Sequence, residues 1–395
     1  MIRIWHPDAS IRRRTAIVAL LWPAVALACS SSDAPSGPSD PKEQLTVTVN
    51  GRLERGMVID VSATLDGGTV PGAVTWSSSP SNAVEFPAPG RALLKVSGAV
   101  QIRATTPDAA GQLTVQVSAP PVLVFDMRKN GNRDIYRASL DGQDLARLTN
   151  HVLDDLSPTA VGGTVVFTGY RPVQVAGDAV AVTIADLYSI PLAGGSATRM
   201  TVTGDAEQEP ALSPNGQRLA FTRTGGDPAT KVWVSGANGS GAGRATPAVG
   251  FAGSTETSPS WAPDNERLVY MSTHDGSANL YILNVAAGTI TPLLTDAFSS
   301  FVEPAWSPDG KWIAFASNQD GPTNLYRVHV DTREVERLTN RAGTDGQPAW
   351  LPDGRIVFTS WFGNTTRLRW LDPADPQRVF DVPLDGDPQN PAGVF

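Results

Sequence analysis

The chain of 395 residues has very few cysteines and histidines. Its only cysteine is Cys29, so no disulfide can form within it. Its four histidines (His6, His151, His274 and His329) are scattered. None stands four residues from another, and none pairs with the cysteine at zinc-ligand spacing, so a protein-built metal site is not expected. Dense lysine or arginine blocks are also missing. The formal charge is −8, and removal of residues 1–28 takes away four arginines and Asp8, leaving −11. Phosphate backbones require basic neutralisation, so nucleic acid is excluded as a partner class, as is simple adsorption to anionic lipid. No Gly-x-Ser-x-Gly pentapeptide occurs, and the last histidine is His329, which argues against an appended serine-hydrolase domain.

Glycine and proline, by contrast, number 37 and 32, a composition suited to many short strands joined by turns. Near the start, Arg12-Arg13-Arg14 precede an apolar run from Ala16 to Ala28 that is interrupted at Pro23. This is the layout of a signal peptide, and the run is too short to span a bilayer. The run ends Val25-Ala26-Leu27-Ala28-Cys29, and small residues before a lone cysteine resemble a lipobox, although Ala26 stands where leucine is commoner. The resemblance implies cleavage after residue 28 and lipidation of Cys29. Residues 29–41, rich in Ser, Pro, Gly and Asp, then form a tether. The expected location is the cell envelope, at the outer membrane and held by the lipid alone.

Residues 42–119 alternate apolar and polar positions, as in Leu45–Val49, Val58–Ala63 and Leu113–Val117, with turn signals between them. Six or seven short strands in this span describe a β-sandwich with Trp76 in its core. The layout resembles bacterial immunoglobulin-like domains, which implies a spacer or adhesive unit.

From residue 122 the chain repeats itself. The clearest unit is Glu303-Pro304-Ala305-Trp306-Ser307-Pro308-Asp309-Gly310, followed by Ile313-Ala314-Phe315, Asn324-Leu325-Tyr326 and Leu338-Thr339. Leading prolines fall at 158, 210, 259, 304, 348 and 391, with gaps of 52, 49, 45, 44 and 43 residues. A period in the forties with four short strands per unit marks propeller blades. Six apolar segments recur (at 122, 165, 219, 268, 313 and 356), so six blades are expected. The array opens without a Pro-Ala-Trp piece and Asn390–Phe395 supplies one at the other end. The termini are therefore expected to share a blade and close the ring. Blade 2 carries an insertion, roughly Arg171–Ile184, expected to project as a loop or a longer hairpin. The fold class expected is thus all-β: a six-bladed β-propeller over 122–395 with a small N-terminal immunoglobulin-like β-sandwich.

The repeated unit resembles the WD40-like repeat of TolB propellers. That resemblance implies a binding platform in the envelope rather than an enzyme, with another envelope protein, such as a peptidoglycan-associated lipoprotein, as partner. TolB itself has a different α/β N-terminal domain and no lipid, so this chain departs from it at that end. A carbohydrate or peptide ligand is the alternative, and a propeller lyase a lesser one. No cofactor or metal is expected. Asp126, Asp134, Asp186, Asp275, Asp309, Asp320 and Asp353 read as turn residues, and the histidines as surface loop or turn residues. Outside the repeat pattern, Trp361 and Phe362 are the candidates for a ligand-contact surface.

Overall fold

The structure is a computed structural model that describes residues 43–395 apart from 130, 174–181, 226, 247–252 and 342. Cys29, the signal segment and the tether lie outside the described residues. Among the described residues there is no helix.

Six four-stranded antiparallel sheets form a six-bladed propeller. In blades 2 to 6 the strands run in chain order from the channel outwards, beginning at Asp155–Val161, Ala206–Leu212, Glu256–Trp261, Phe301–Trp306 and Thr344–Trp350. Blade 1 takes its innermost strand from the other end of the chain. Asp387–Gly393 pairs with Val122–Arg128, as the split repeat required, and this pairing removes the open sheet edge at both termini. The insertion in blade 2 lengthens a hairpin, with strands Thr164–Val173 and Val182–Pro191 in register to their tips.

The two sequence signatures of each blade face each other. In four blades the second-strand aromatic pairs directly with a tyrosine of the third, Phe125↔Tyr136, Phe167↔Tyr188, Tyr270↔Tyr281 and Phe315↔Tyr326, while blade 3 has Phe221↔Trp233 and blade 6 Phe358↔Arg369. The rings of the four aromatic–tyrosine pairs stand 5.7 to 6.2 Å apart, and the second-strand aromatics are wholly buried between blades.

The leading prolines have a role that their spacing alone does not reveal. Each innermost strand slips register at its x-Pro pair, for example between Gln208 and Ala211 and between Val302 and Ala305. Proline cannot donate to the ladder, and its ring keeps the preceding residue out of the right-handed helical region. All six preceding residues take a left-handed φ instead: Ser157 50°, Glu209 51°, Ser258 53°, Glu303 55°, Gln347 52° and Asn390 48°. A bulge of the same geometry therefore recurs six times around the channel.

Residues 43–117 form eight strands, seven along one hydrogen-bonded path with Gly68–Thr69 paired to its side, rather than two separate sheets. Glu43–Asn50 joins the halves. It pairs in parallel with Ala109–Val117 at its start and antiparallel with Val58–Leu65 along the rest. Leu45, Ile59, Leu94, Val100 and Ile102 make the core, while Trp76 sits at its margin, stacked on Phe86 at 6.1 Å, rather than at its centre.

This module is fastened to blades 1 and 6. Arg52 reaches Asp353 at 2.5 Å, Glu54 reaches Arg355 at 2.8 Å, and Arg55 reaches Asp141 at 2.8 Å and Asp144 at 2.6 Å. Gly56 lies where a Cβ would come within 2.6 Å of the Asp141 side chain, and its φ of +86° also requires glycine. Met57 packs on the core shared by blades 1 and 6.

Candidate functional site

The candidate site is the end of the propeller channel on the face that carries the Pro-Asp-Gly turns. All six innermost strands contribute to it. Two residues after each strained position stands a small side chain: Thr159, Ala211, Ser260, Ala305, Ala349 and Ala392. The next residue alternates to the other face of the strand. It is Trp261, Trp306 and Trp350 in blades 4 to 6, but Ala160, Leu212 and Gly393 in blades 2, 3 and 1. Together they line a cavity of about 210 Å³, apolar for most of its surface, with Phe395 half-exposed at its edge. Among the described residues its lining offers the side-chain hydroxyls of Thr159, Ser260 and Ser307, and no side-chain carboxylate, imidazole, thiol or amine.

The tryptophans are held firmly. Trp261 Nε1 donates to the Ala211 carbonyl and Trp350 Nε1 to that of Ala305, each at 3.0 Å and each in the preceding blade. Trp306 Nε1 donates to Gly310 O at 3.2 Å. Guanidinium groups lie over two of the rings, Arg218 on Trp261 at 5.4 Å and Arg267 on Trp306 at 5.0 Å. Blade 1 has Gly393 in place of the tryptophan. The arginine of blade 6, Arg355, turns instead to Trp370 and to Glu54 of the N-terminal module. A Cβ at 393 would stand 2.6 Å from the Trp350 carbonyl, so the strand approaches too closely there for any other residue.

Below the cavity, the strained residues form a hydrogen-bonded girdle. Five of the six amides are held by a side chain of the preceding blade. Ser157 N donates to Asp126 Oδ2 at 3.1 Å, Glu209 N to Thr168 Oγ1 at 3.2 Å and Ser258 N to Glu209 Oε2 at 2.7 Å. Gln347 N donates to Glu303 Oε2 at 2.6 Å and Asn390 N to Gln347 Oε1 at 3.0 Å. Burial raises the Glu209 carboxyl above its ordinary range, only partly offset by the Ser258 amide. Burial does the same to Glu303, and the charge of Glu209 adds to it.

Several expected turn residues prove to be strand residues. Asp126, Asp134 and Asp186 are fully buried and ion-paired, with Arg133, Arg147 and Arg199. The reason lies in the neighbouring strand or connection, whose arginines compensate charges that a turn would have left in water. Asp309 and Asp353 do sit in turns, next to Ser307 and Arg355. The histidines occupy three unrelated places. His151 accepts the Leu153 amide, His274 lies in a turn, and His329 closes a strand against Trp312. Among the described residues no three of His, Cys, Asp and Glu converge as a metal site. Trp361 and Phe362 are on the opposite face from the tryptophan-lined cavity. Trp361 is half-buried against Gly346, and Phe362 is 42% exposed.

Residues 253–367 match the family model described as the TolB beta propeller domain. Among solved structures, TolB from Acinetobacter baumannii is similar with a TM-score of 0.61 and 16% identity, over 76% of this chain and 81% of that one. A putative TolB from Agrobacterium tumefaciens gives 0.54 and 20%, over 68% and 90%. Hydrazine synthase from Kuenenia stuttgartiensis gives 0.54 and 14%, over 70% of this chain and 46% of that one. No curated protein matches in sequence. The propeller is TolB-like in fold, and that same fold occurs in an enzyme, so function has to be argued from the site.

Proposed function

We propose that this chain is a non-catalytic lipoprotein of the cell envelope whose propeller is a protein-interaction platform, with the tryptophan-walled channel mouth receiving an apolar segment of its partner. The single observation that carries this reading is the lining of the mouth. Six strands converge on an apolar cavity whose lining, among the described residues, offers hydroxyls and no side-chain carboxylate or imidazole, a lining suited to burying an apolar side chain. The tryptophans are 5–6% exposed, and their faces are covered by arginines or neighbouring blades. That disfavours stacking on a sugar ring and favours an aliphatic or aromatic side chain entering end-on. In this reading the N-terminal module over 42–119 is an immunoglobulin-like spacer and Cys29 the lipid attachment point, so that the platform is held at a membrane surface.

The test is site-specific photocrosslinking in cells from Thr159 and Ala349 at the mouth, with Val335 on the outer edge of blade 5 as control. The expected result is one discrete envelope protein captured from the mouth positions only, and lost when Ser260→Trp fills the cavity. Capture that is equal at Val335, or unaffected by Ser260→Trp, refutes the mouth as the site. Cys29→Ala is expected to move the protein from the membrane to the soluble envelope fraction.

A further inference from the structure

On the face opposite the mouth, the hairpin of blade 6 ends in Trp361 and Phe362, beside the loop that leads in from blade 5. Arg341, Gly343, Trp361, Phe362, Gly363 and Arg369 line a shallow depression of about 630 Å³ there. Phe362 is 42% exposed, with the Arg369 guanidinium 4.7 Å and the Arg367 guanidinium 5.7 Å from its ring centre. Those two arginines share one carboxylate: Asp381 accepts from Arg369 Nε at 2.7 Å and from Arg367 Nη1 at 3.1 Å. Arg341 is exposed and makes no ion pair among the described residues. The nearby Asp345 carboxylate is buried, accepts the Ser360 hydroxyl at 2.5 Å and makes no direct ion pair with Arg341 among the described residues. In a chain of charge −8, this spot has excess positive charge next to exposed aromatic surface.

The polar side chains that line the depression are donors: two guanidinium groups and the indole of Trp361. Among the described residues no side-chain carboxylate, amide or hydroxyl joins them. A matching ligand therefore brings acceptors and apolar surface, and few donors. A sugar chain presents hydroxyls that need acceptors as much as donors. A run of carboxylates around an apolar side chain needs donors alone, and guanidinium groups supply them in bidentate form. We propose that this depression binds an acidic peptide segment in which an aromatic or aliphatic residue, seated against Phe362, is flanked by Asp or Glu facing Arg341 and Arg369. The depression is separate from the channel mouth and does not depend on the mouth being functional.

The experiment is fluorescence anisotropy with the full chain and a labelled decapeptide that alternates Asp and Glu with Phe and Leu. Lys-for-acid replacement of the same peptide and an unlabelled uronate hexasaccharide serve as competitors. Saturable binding that weakens as salt rises is expected, with Arg341→Gln and Phe362→Ala each lowering affinity about tenfold. Ala349→Trp, which fills the mouth, is expected to leave this affinity unchanged. Arg341 is exposed and makes no ion pair among the described residues, so its replacement tests the site without threatening the fold. The proposal is overturned by absence of saturable binding, by equal binding of the lysine peptide, or by affinity indifferent to Arg341→Gln. Displacement by the hexasaccharide at lower concentration than the unlabelled acidic peptide overturns the peptide class and assigns the depression to a glycan.

Discussion

Blades 4 to 6 and blades 1 to 3 share one architecture and fill the space between blades with different chemistry. In blades 4 to 6 the residue before the Leu-Tyr pair is Asn279, Asn324 or Arg367, and the two asparagines are buried neutral amides. Asn279 Oδ1 accepts the Asp296 amide at 3.0 Å, and Asn324 Oδ1 accepts the Thr339 hydroxyl at 3.1 Å. In blades 1 and 2 the same position is Asp134 and Asp186, each fully buried against an arginine. Asp126–Arg133 and Asp155–Arg171 add two more buried pairs in the same part of the ring. The tryptophan wall of the mouth, conversely, belongs wholly to blades 4 to 6. At the position before the Leu-Tyr pair, blades 4 and 5 thus use neutral caps and blades 1 and 2 compensated charges, although buried ion pairs also reach blades 4 and 6, as Glu256 with Lys231 and Arg355 with Glu54 show. The fold tolerates both, since blade packing requires only that each buried polar group find a partner. Perturbations of the two kinds of site, however, differ in cost.

The largest expected effect is at Asp126. Its carboxylate holds Arg133, the Ser157 amide and Asn390 Nδ2, and so ties the C-terminal strand to blades 1 and 2. Asp126→Ala leaves an arginine buried without its counter-charge and is expected to cost about 3–5 kcal/mol in denaturant unfolding. Asn279→Ala, at a neutral cap, is expected to cost about 1–3 kcal/mol. Equal costs would break the contrast between the two kinds of site. A smaller effect is expected for Asp134→Asn, which gives blade 1 the chemistry of blade 4. Loss of the Arg147 pair is offset by relief of a buried charge, so the net change in unfolding free energy is expected within about 1 kcal/mol. A loss as large as that at Asp126 would show that the charge itself, rather than its geometry, is required.

The smallest effect concerns the girdle. The Glu209 carboxyl is raised by burial, so the fold favours its protonated form. That contribution is fully present below the ordinary glutamate value of 4.5 and is lost as pH rises through the higher folded value. Glu209→Gln keeps an acceptor for the Ser258 amide and removes the charge. It is expected to raise Tm at pH 7, with the gain shrinking as pH falls through the raised folded value and gone below 4.5, where the carboxyl is protonated in both states. An unchanged Tm at pH 7 would mean that the channel solvates this carboxylate more fully than its burial implies.

How much was legible in the sequence depended on whether a signal is local. The six apolar strands and the closure by Asn390–Phe395 follow from period and order along the chain, and the structure has both, whereas the facing of aromatic and tyrosine across strands was not read from the sequence. The mouth was only half visible. The Pro-Ala-Trp units marked where blades begin, but not that the position before each proline turns left-handed or that the small residue after it lines the channel. A proline inside an otherwise regular strand could have signalled the bulge, because an interior proline has to leave the ladder. The buried aspartates were missed because Asp134 with Arg147, or Asp155 with Arg171, is a pairing between strands, and Asp-rich segments read one by one resemble turns.

Covalent order along the chain thus determined the number of blades, their strands and the way the ring closes, since these depend on hydrophobic period and on proline and glycine geometry at single positions. Tertiary structure alone decided which residues face one another across blades: the tryptophan half of the mouth, the compensated carboxylates, the girdle of six strained residues, and the arginines that gather around Phe362. Those arrangements depend on the distance between residues tens to hundreds of positions apart, and no local pattern encodes that distance.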